Sequence, residues 1–223
     1  MQEVNVKSSR KTRTPLSITT IHAAALELIE KNGLEALSMR SLAAALSVDP
    51  MAMYHHIPNK ATLILGLYNT VLADLIPTTT STQSWQDGLK TLARQYRALA
   101  LRHSKLFPSL IASSNDTENA YRAFERLYGL MFSSGLSLEE VVHASDAFFA
   151  FVTGFALIEI HEANAAPNQS VLEYLERVDS SDYPHIRRLI SEIATVKVLD
   201  SFEFGLQAFI VGLEQQLSAR SRA

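Results

Sequence analysis

SMRSLAAALSVDPMAMYHHIPNK, residues 38–60, decides how the rest of the chain is read. Ser38 is a good helix N-cap, and Met39, Leu42, Ala43 and Leu46 follow at the spacing of one helical face. Ser47-Val48 breaks that run. Asp49-Pro50 restarts it, with the acid as cap and proline at the first helical position, where its missing N–H costs nothing. The second helix is expected to present Met51, Ala52, Tyr54, His55 and His56 before Pro58 ends it. Two helices this short cannot bury a core alone. Their arrangement is that of a helix-turn-helix, whose second helix enters the DNA major groove.

Working outward, a supporting helix precedes the motif. From Ser17 to Lys31 the residues Ile18, Ile21, Ala25, Leu28 and Ile29 share one face, and Asn32-Gly33 closes the helix. Asn59 can cap a fourth helix carrying Leu63, Ile64, Leu67, Val71 and Leu75, which Pro77 and the run TTTSTQS end. The expected organisation is therefore a basic, disordered arm over 1–16, a DNA-binding domain over 17–76, and a second domain over 77–223. Residues 1–60 carry seven Lys/Arg against five acids, whereas the whole chain is at −3, so a mildly basic end precedes an acidic body. That distribution fits a DNA-binding head, and chance variation among solvated faces would also produce it.

Beyond Pro77 the pattern is helical throughout. Ser84 caps a helix with Trp85, Leu89, Leu92, Tyr96 and Leu99, and a short segment around Leu106-Phe107-Pro108 follows. Tyr121, Phe124, Leu127, Tyr128 and Met131 mark the next helix, closed by Gly135. From Leu138 to about Ala163 runs a long helix, apolar on so wide an arc that it must be covered on more than one side. Residues 164–183 read as a polar loop, and 185–196 as a modest helix. Phe202, Leu206, Phe209, Leu213 and Leu217 then form a coiled-coil-like seam on the last helix. No strand alternation competes, so the fold class is all-α.

The 223 residues, 47% hydrophobic, suffice for one or two domains with a substantial core. The absence of cysteine excludes disulfides and thiolate metal sites. No apolar run is expected to reach the ~20 residues of a membrane span, and the polar start MQEVNVKSSRK is not a signal peptide, so a cytoplasmic protein is expected. His103, His143, His161 and His185 are scattered, and His55-His56 diverge by about 100° on a helix. With no HExxH, GxSxG, GxGxxG or P-loop pattern, no catalytic residue, metal or cofactor is assigned.

Leu42-Ala43, Val48, Met53-Tyr54-His55-His56-Ile57 and Asn59-Lys60 together resemble the N-terminal domain of the TetR family of bacterial repressors. Ser84-Trp85-Gln86-Asp87, Gly135-Leu136-Ser137-Leu138-Glu139, Phe204-Gly205-Leu206 and Gly212-Leu213-Glu214 are similar to the regulatory domain of the tetracycline repressors. The resemblance implies DNA contacts from Arg40, Tyr54, His56 and Lys60, the last three chiefly to the backbone. From the residues themselves, Pro50, Met51, Ala52 and His55 are the further candidates for the groove, with Met51 and Ala52 suited to thymine methyls. The plainer alternatives are that Tyr54 and His56 only pack the small domain and that Arg40 is a solvated charge. Ser47 stands where the family more often has glycine, which costs roughly 1 kcal/mol if the position is left-handed.

Leu92, Tyr96, Leu110, Leu127, Tyr128, Phe151 and Phe155 are the candidate lining of an effector cavity, and a filled core is the alternative for each. The positions matching the magnesium ligands of the tetracycline repressors read Leu110 and Ile158, and another polar position reads Ala150. Leucine and isoleucine cannot hold magnesium, so an apolar or aromatic effector is expected. The expectation is thus a homodimeric, ligand-responsive regulator acting as a repressor on a palindromic double-stranded operator. Two alternatives remain open: an activator on the same scaffold, and a helical small-molecule-binding protein with vestigial DNA binding.

Overall fold

The chain's caps place its helices. In the computed structural model, which describes residues 15–77, 84–113, 116–164, 177, 182–193 and 198–220, every described regular element is helical, so the fold is all-α. Ser17 Oγ accepts the Thr20 N–H and starts α1 (Ile18–Asn32), which Gly33 closes at φ 87°. Then come α2 (Met39–Leu46), α3 (Pro50–Tyr54) and α4 (Lys60–Leu72), the last running into a 3₁₀ turn at Ala73–Leu75. Asn59 Oδ1 accepts the Thr62 N–H at 2.8 Å, the expected cap of α4. After the undescribed stretch 78–83 follow α5 (Trp85–Arg102), α6 (Phe107–Ala112), α7 (Glu118–Ser133), α8 (Leu138–Asn164), α9 (Pro184–Ile193) and α10 (Val198–Arg220).

The chain divides into two compact units between Tyr68 and Asn69, inside α4. That boundary lies eight residues before the sequence-based one at Ile76. In the first unit Ile21, Ala25, Ile29, Leu37, Leu42, Ala43, Met53, Ile57, Leu63 and Leu67 are all buried; α2 packs on α1, and α3 packs on α2. In the second unit α5, α7 and α8 pack on one another around Leu89, Leu92, Leu99, Met131, Phe148 and Val152, and α10 packs on α5 and α8. The basic arm and the loop expected at 164–183 lie largely outside the described residues.

Three expectations need correction. The second motif helix stops at Tyr54, and His55 and His56 lie in a turn. The His56 and Ile57 N–H groups both reach the Met53 carbonyl at 2.9 Å, which swings Ile57 into the core, and Pro58 bars its predecessor from continuing a helix. Second, α8 from Leu138 to Ala163 is long and apolar enough, by length and composition, to cross a membrane, although no run was expected to be. Such a helix is also what a protein core needs, and Val141, Phe148, Val152, Ala156 and Ile160 are indeed buried in protein. Third, the seam of α10 is mostly spent within the chain. Phe202, Leu206 and Leu213 are buried, Phe202 stacking on Phe151 with ring centroids 5.7 Å apart. Gly205 permits this approach, since a Cβ there would lie 2.6 Å from Cε2 of Phe151.

Candidate nucleic-acid interface and effector cavity

The turn between α2 and α3 is built by backbone chemistry. Ser38 and Ser41 form a capping box, each accepting the other's N–H, at 3.0 and 2.9 Å. At the far end Ser47 is left-handed, at φ 54° and ψ 42°, the only positive-φ non-glycine among the described residues. The Ser47 N–H donates to the Ala44 carbonyl and the Val48 N–H to that of Ala43, a Schellman closure of α2. Asp49 Oδ1 then accepts the Met51 N–H at 2.7 Å and starts α3. A tight turn at this point fixes the angle between the two helices.

Within α3 the inward position is Met53, fully buried, and every neighbour is turned away from the core. Met51 is 68% exposed and Tyr54 44%, while Pro50, His55 and His56 are also exposed and Ala52 is half-buried. Large apolar side chains left this open on a five-residue helix do nothing for the core of their own domain. Arg40, at the start of α2, and Lys60, at the start of α4, are exposed as well. All eight sequence-derived DNA candidates therefore lie on or near the surface of the first unit. Packing alone does not account for Tyr54 or His56.

The second unit holds an apolar cavity of about 70 Å³. Of the seven sequence-derived lining residues, Leu92, Tyr96, Leu110 and Leu127 border it. Tyr128, Phe151 and Phe155 do not. Tyr128 lies outside on α7, stacked on Phe124, and Phe151 and Phe155 face α10 in a cluster with Phe202. The walls are completed by residues the sequence reading missed, chief among them Leu72, Leu75, Phe124, Phe148, Phe149 and Val152. The signal for two of them was the α7 stripe Ala120, Phe124 and Leu127, spaced four and three residues apart.

One polar contact punctuates the wall. Tyr96 Oη and Thr153 Oγ1 are 3.0 Å apart in a buried pair, and burial pushes the phenol's pKa upward, so the hydroxyl stays protonated. Phe107 and Phe149 hold the Tyr96 ring edge-on, with centroids at 5.5 and 5.8 Å. Leu110 lines the cavity, whereas Ile158 and Ala150 are exposed on α8. No group of three metal-ligating side chains is found among the described residues.

Residues 77–217 match the family described as "Tetracyclin repressor-like, C-terminal domain", and residues 21–67 match the bacterial regulatory proteins of the tetR family. The chain is similar to the HTH-type transcriptional repressor DrrR1 of Streptomyces coeruleorubidus, at 27% identity over 96% of this chain and 83% of the relative. It is also similar to the class E tetracycline repressor protein of Escherichia coli, at 27% identity over 92% of this chain and 94% of that one. Among solved structures, ActR of Streptomyces coelicolor in complex with actinorhodin superposes with a TM-score of 0.75 at 27% identity, covering 90% of this chain and 96% of ActR. With an exposed helix-turn-helix in one unit, an apolar cavity in the other, and family matches over both, the chain belongs to the TetR family of DNA-binding, ligand-responsive transcriptional repressors.

Proposed function

We propose that this protein is a homodimeric cytoplasmic repressor that leaves a palindromic operator when a small, largely apolar effector opens the cavity of the second unit. The observation that carries the reading is the cavity wall itself. Leu72 and Leu75 border the cavity, and both belong to the segment that begins as α4 at Lys60, immediately after the exposed motif. A ligand that pushes these two leucines acts on a helix continuous with the DNA-binding unit. The cavity of about 70 Å³ is also far below the roughly 300–1,000 Å³ of a formed ligand site, so binding requires displacement of the walls. That displacement is the differential interaction a switch needs.

The lining supports the effector class. Aside from Tyr96, whose hydroxyl is already paired with Thr153, the side chains bordering the cavity are hydrocarbon. ActR is seen with actinorhodin, which supports a small-molecule occupant for this fold. An effector preferring the DNA-free state by about 3–4 kcal/mol would weaken operator binding by roughly two to three orders of magnitude.

Dimerisation rests on what α8 and α10 leave uncovered. Ala144, Ala147, Ala208 and Gly212 form the small-residue floor of a surface groove between them, and Phe204, Val142 and Ile158 stand exposed nearby in sequence. Two such helices and their symmetry mates make a four-helix bundle. Paired recognition helices about 34–36 Å apart would then read two half-sites. The sequence offers no nucleophile–base motif, and the family matches support a regulatory role.

The test is a thermal-shift screen of apolar and amphipathic compounds on the full chain, followed by DNA-binding titrations. A compound present at a hundred times its Kd stabilises by about 2.7 kcal/mol, a readily measured shift. Stabilising compounds should lower DNA affinity at least tenfold, and Ala123→Phe, which fills the cavity, should remove both effects. Stabilisers that leave DNA affinity unchanged would contradict the reading.

A further inference from the structure

Arg126, on α7, is placed unlike five other arginines of the second unit. Arg94, Arg97, Arg102, Arg122 and Arg220 pair with Glu203, Glu159, Asp74, Glu118 and Glu140 respectively. Arg126 is half-buried and pairs with no carboxylate among the described residues; burial alone acts on it, pulling its pKa down from its usual value while leaving it charged. Its Nη1 donates to the Leu75 carbonyl at 2.5 Å and to Gln95 Oε1 at 2.7 Å. Nε and Nη2 have no partner among the described residues. A guanidinium offers five donors, and here one nitrogen serves two neutral acceptors.

The position is beside the cavity. Leu75, whose carbonyl is the acceptor, is a lining residue, as are Ala123 and Leu127 on either side of Arg126 in α7. Gln95 is likewise flanked by the lining residues Leu92 and Tyr96 on α5. A half-buried cation without a counter-ion is costly, and a carboxylate is its best partner.

We propose that Arg126 is the polar recognition point of the effector site, so that the effector is an amphipathic acid with a hydrocarbon body for the cavity and an anionic oxygen for the guanidinium. The proposal rests on the cavity being the effector site. The acid's oxygens accept from Nε and Nη2, on the same guanidinium whose Nη1 holds the Leu75 carbonyl, so charge recognition is tied to the turn that ends α4. Specificity against a neutral analogue comes from the charge-assisted, bidentate pair, and affinity from the hydrocarbon.

The probes are decanoate and 1-decanol, which share a chain and differ in the head group. They are titrated calorimetrically into the full-length protein at pH ~8, where the acid is ionised. Decanoate should bind at least about tenfold more tightly than decanol, as expected of a hydrogen bond to a charged partner. Arg126→Met should abolish that preference while leaving decanol affinity within about twofold, which also shows that the variant is folded; Arg126→Lys should retain part of it. Equal affinity of the wild type for both probes, or a preference that survives in Arg126→Met, would overturn the proposal. Leu127→Trp separates the two readings. It should block both probes, and decanol binding that persists there, or no binding of either probe to the wild type, would instead sink the cavity assignment on which the proposal depends.

Discussion

Met51 and Tyr54 are 68% and 44% exposed on a helix whose inward residue, Met53, is fully buried. This split leaves Met51 and Tyr54 outside the core of their unit. Met51 carries only a thioether, so it can read apolar base edges, whereas Lys60 presents a point charge suited to phosphate. Lys60→Ala should weaken binding to every DNA sequence alike and reduce the salt slope by about one. Met51→Ala should instead cost affinity for the specific site by about 1–3 kcal/mol and leave non-specific binding unchanged. Tyr54→Ala should abolish specific binding and leave the dimer intact on size-exclusion chromatography. Fluorescence anisotropy over a salt series separates the three, and dissociation of the Tyr54 variant would show that its role is packing. Much at this scale was legible in the sequence, because caps are local chemistry. Ser38, Asp49, Asn59 and Ser84 each accept the N–H that their position promised. The end of α3 was not legible, because burying Ile57 takes precedence over two more residues of helix.

Between elements, the cavity shows where periodicity stops being informative. Phe151 and Phe155 were expected to line it, yet Phe148, Phe149 and Val152 do so. On an α-helix apolar round a wide arc, one residue is a rotation of about 100°, and only the neighbouring helices decide which stripe faces the cavity. Those neighbours are distant in sequence: α10 claims the Phe151 stripe, and α5 and α7 claim the other. The choice is therefore tertiary. Gly205 tests it. Its missing Cβ leaves room for a Phe151 ring already held by Phe155 and Phe202, so the ring cannot retreat freely. Gly205→Ala should cost about 1–2 kcal/mol net, overpacking outweighing alanine's helix propensity. Gly129→Ala, exposed in the middle of α7 where a Cβ meets nothing within 4 Å, should gain up to about 1 kcal/mol. Paired thermal melts check this, and an equal gain at both positions would mean that α10 does not pack as described.

At the scale of the whole molecule, the break in composition after Ile76 falls where the C-terminal family match begins, at residue 77. The proline and threonine-rich stretch marks that break, whereas the contact boundary falls within α4, where no residue signals it. In the proposed function, the helix in which the two units meet in sequence is the element through which an effector would act on DNA binding. The most direct test of that central claim is a mobility-shift titration of the full-length protein against fragments of its own genome at physiological salt. The account predicts that a fragment containing an inverted repeat is retained at concentrations at least about a thousandfold below those that shift bulk DNA, with two protomers per site. Uniform affinity for all fragments would contradict it.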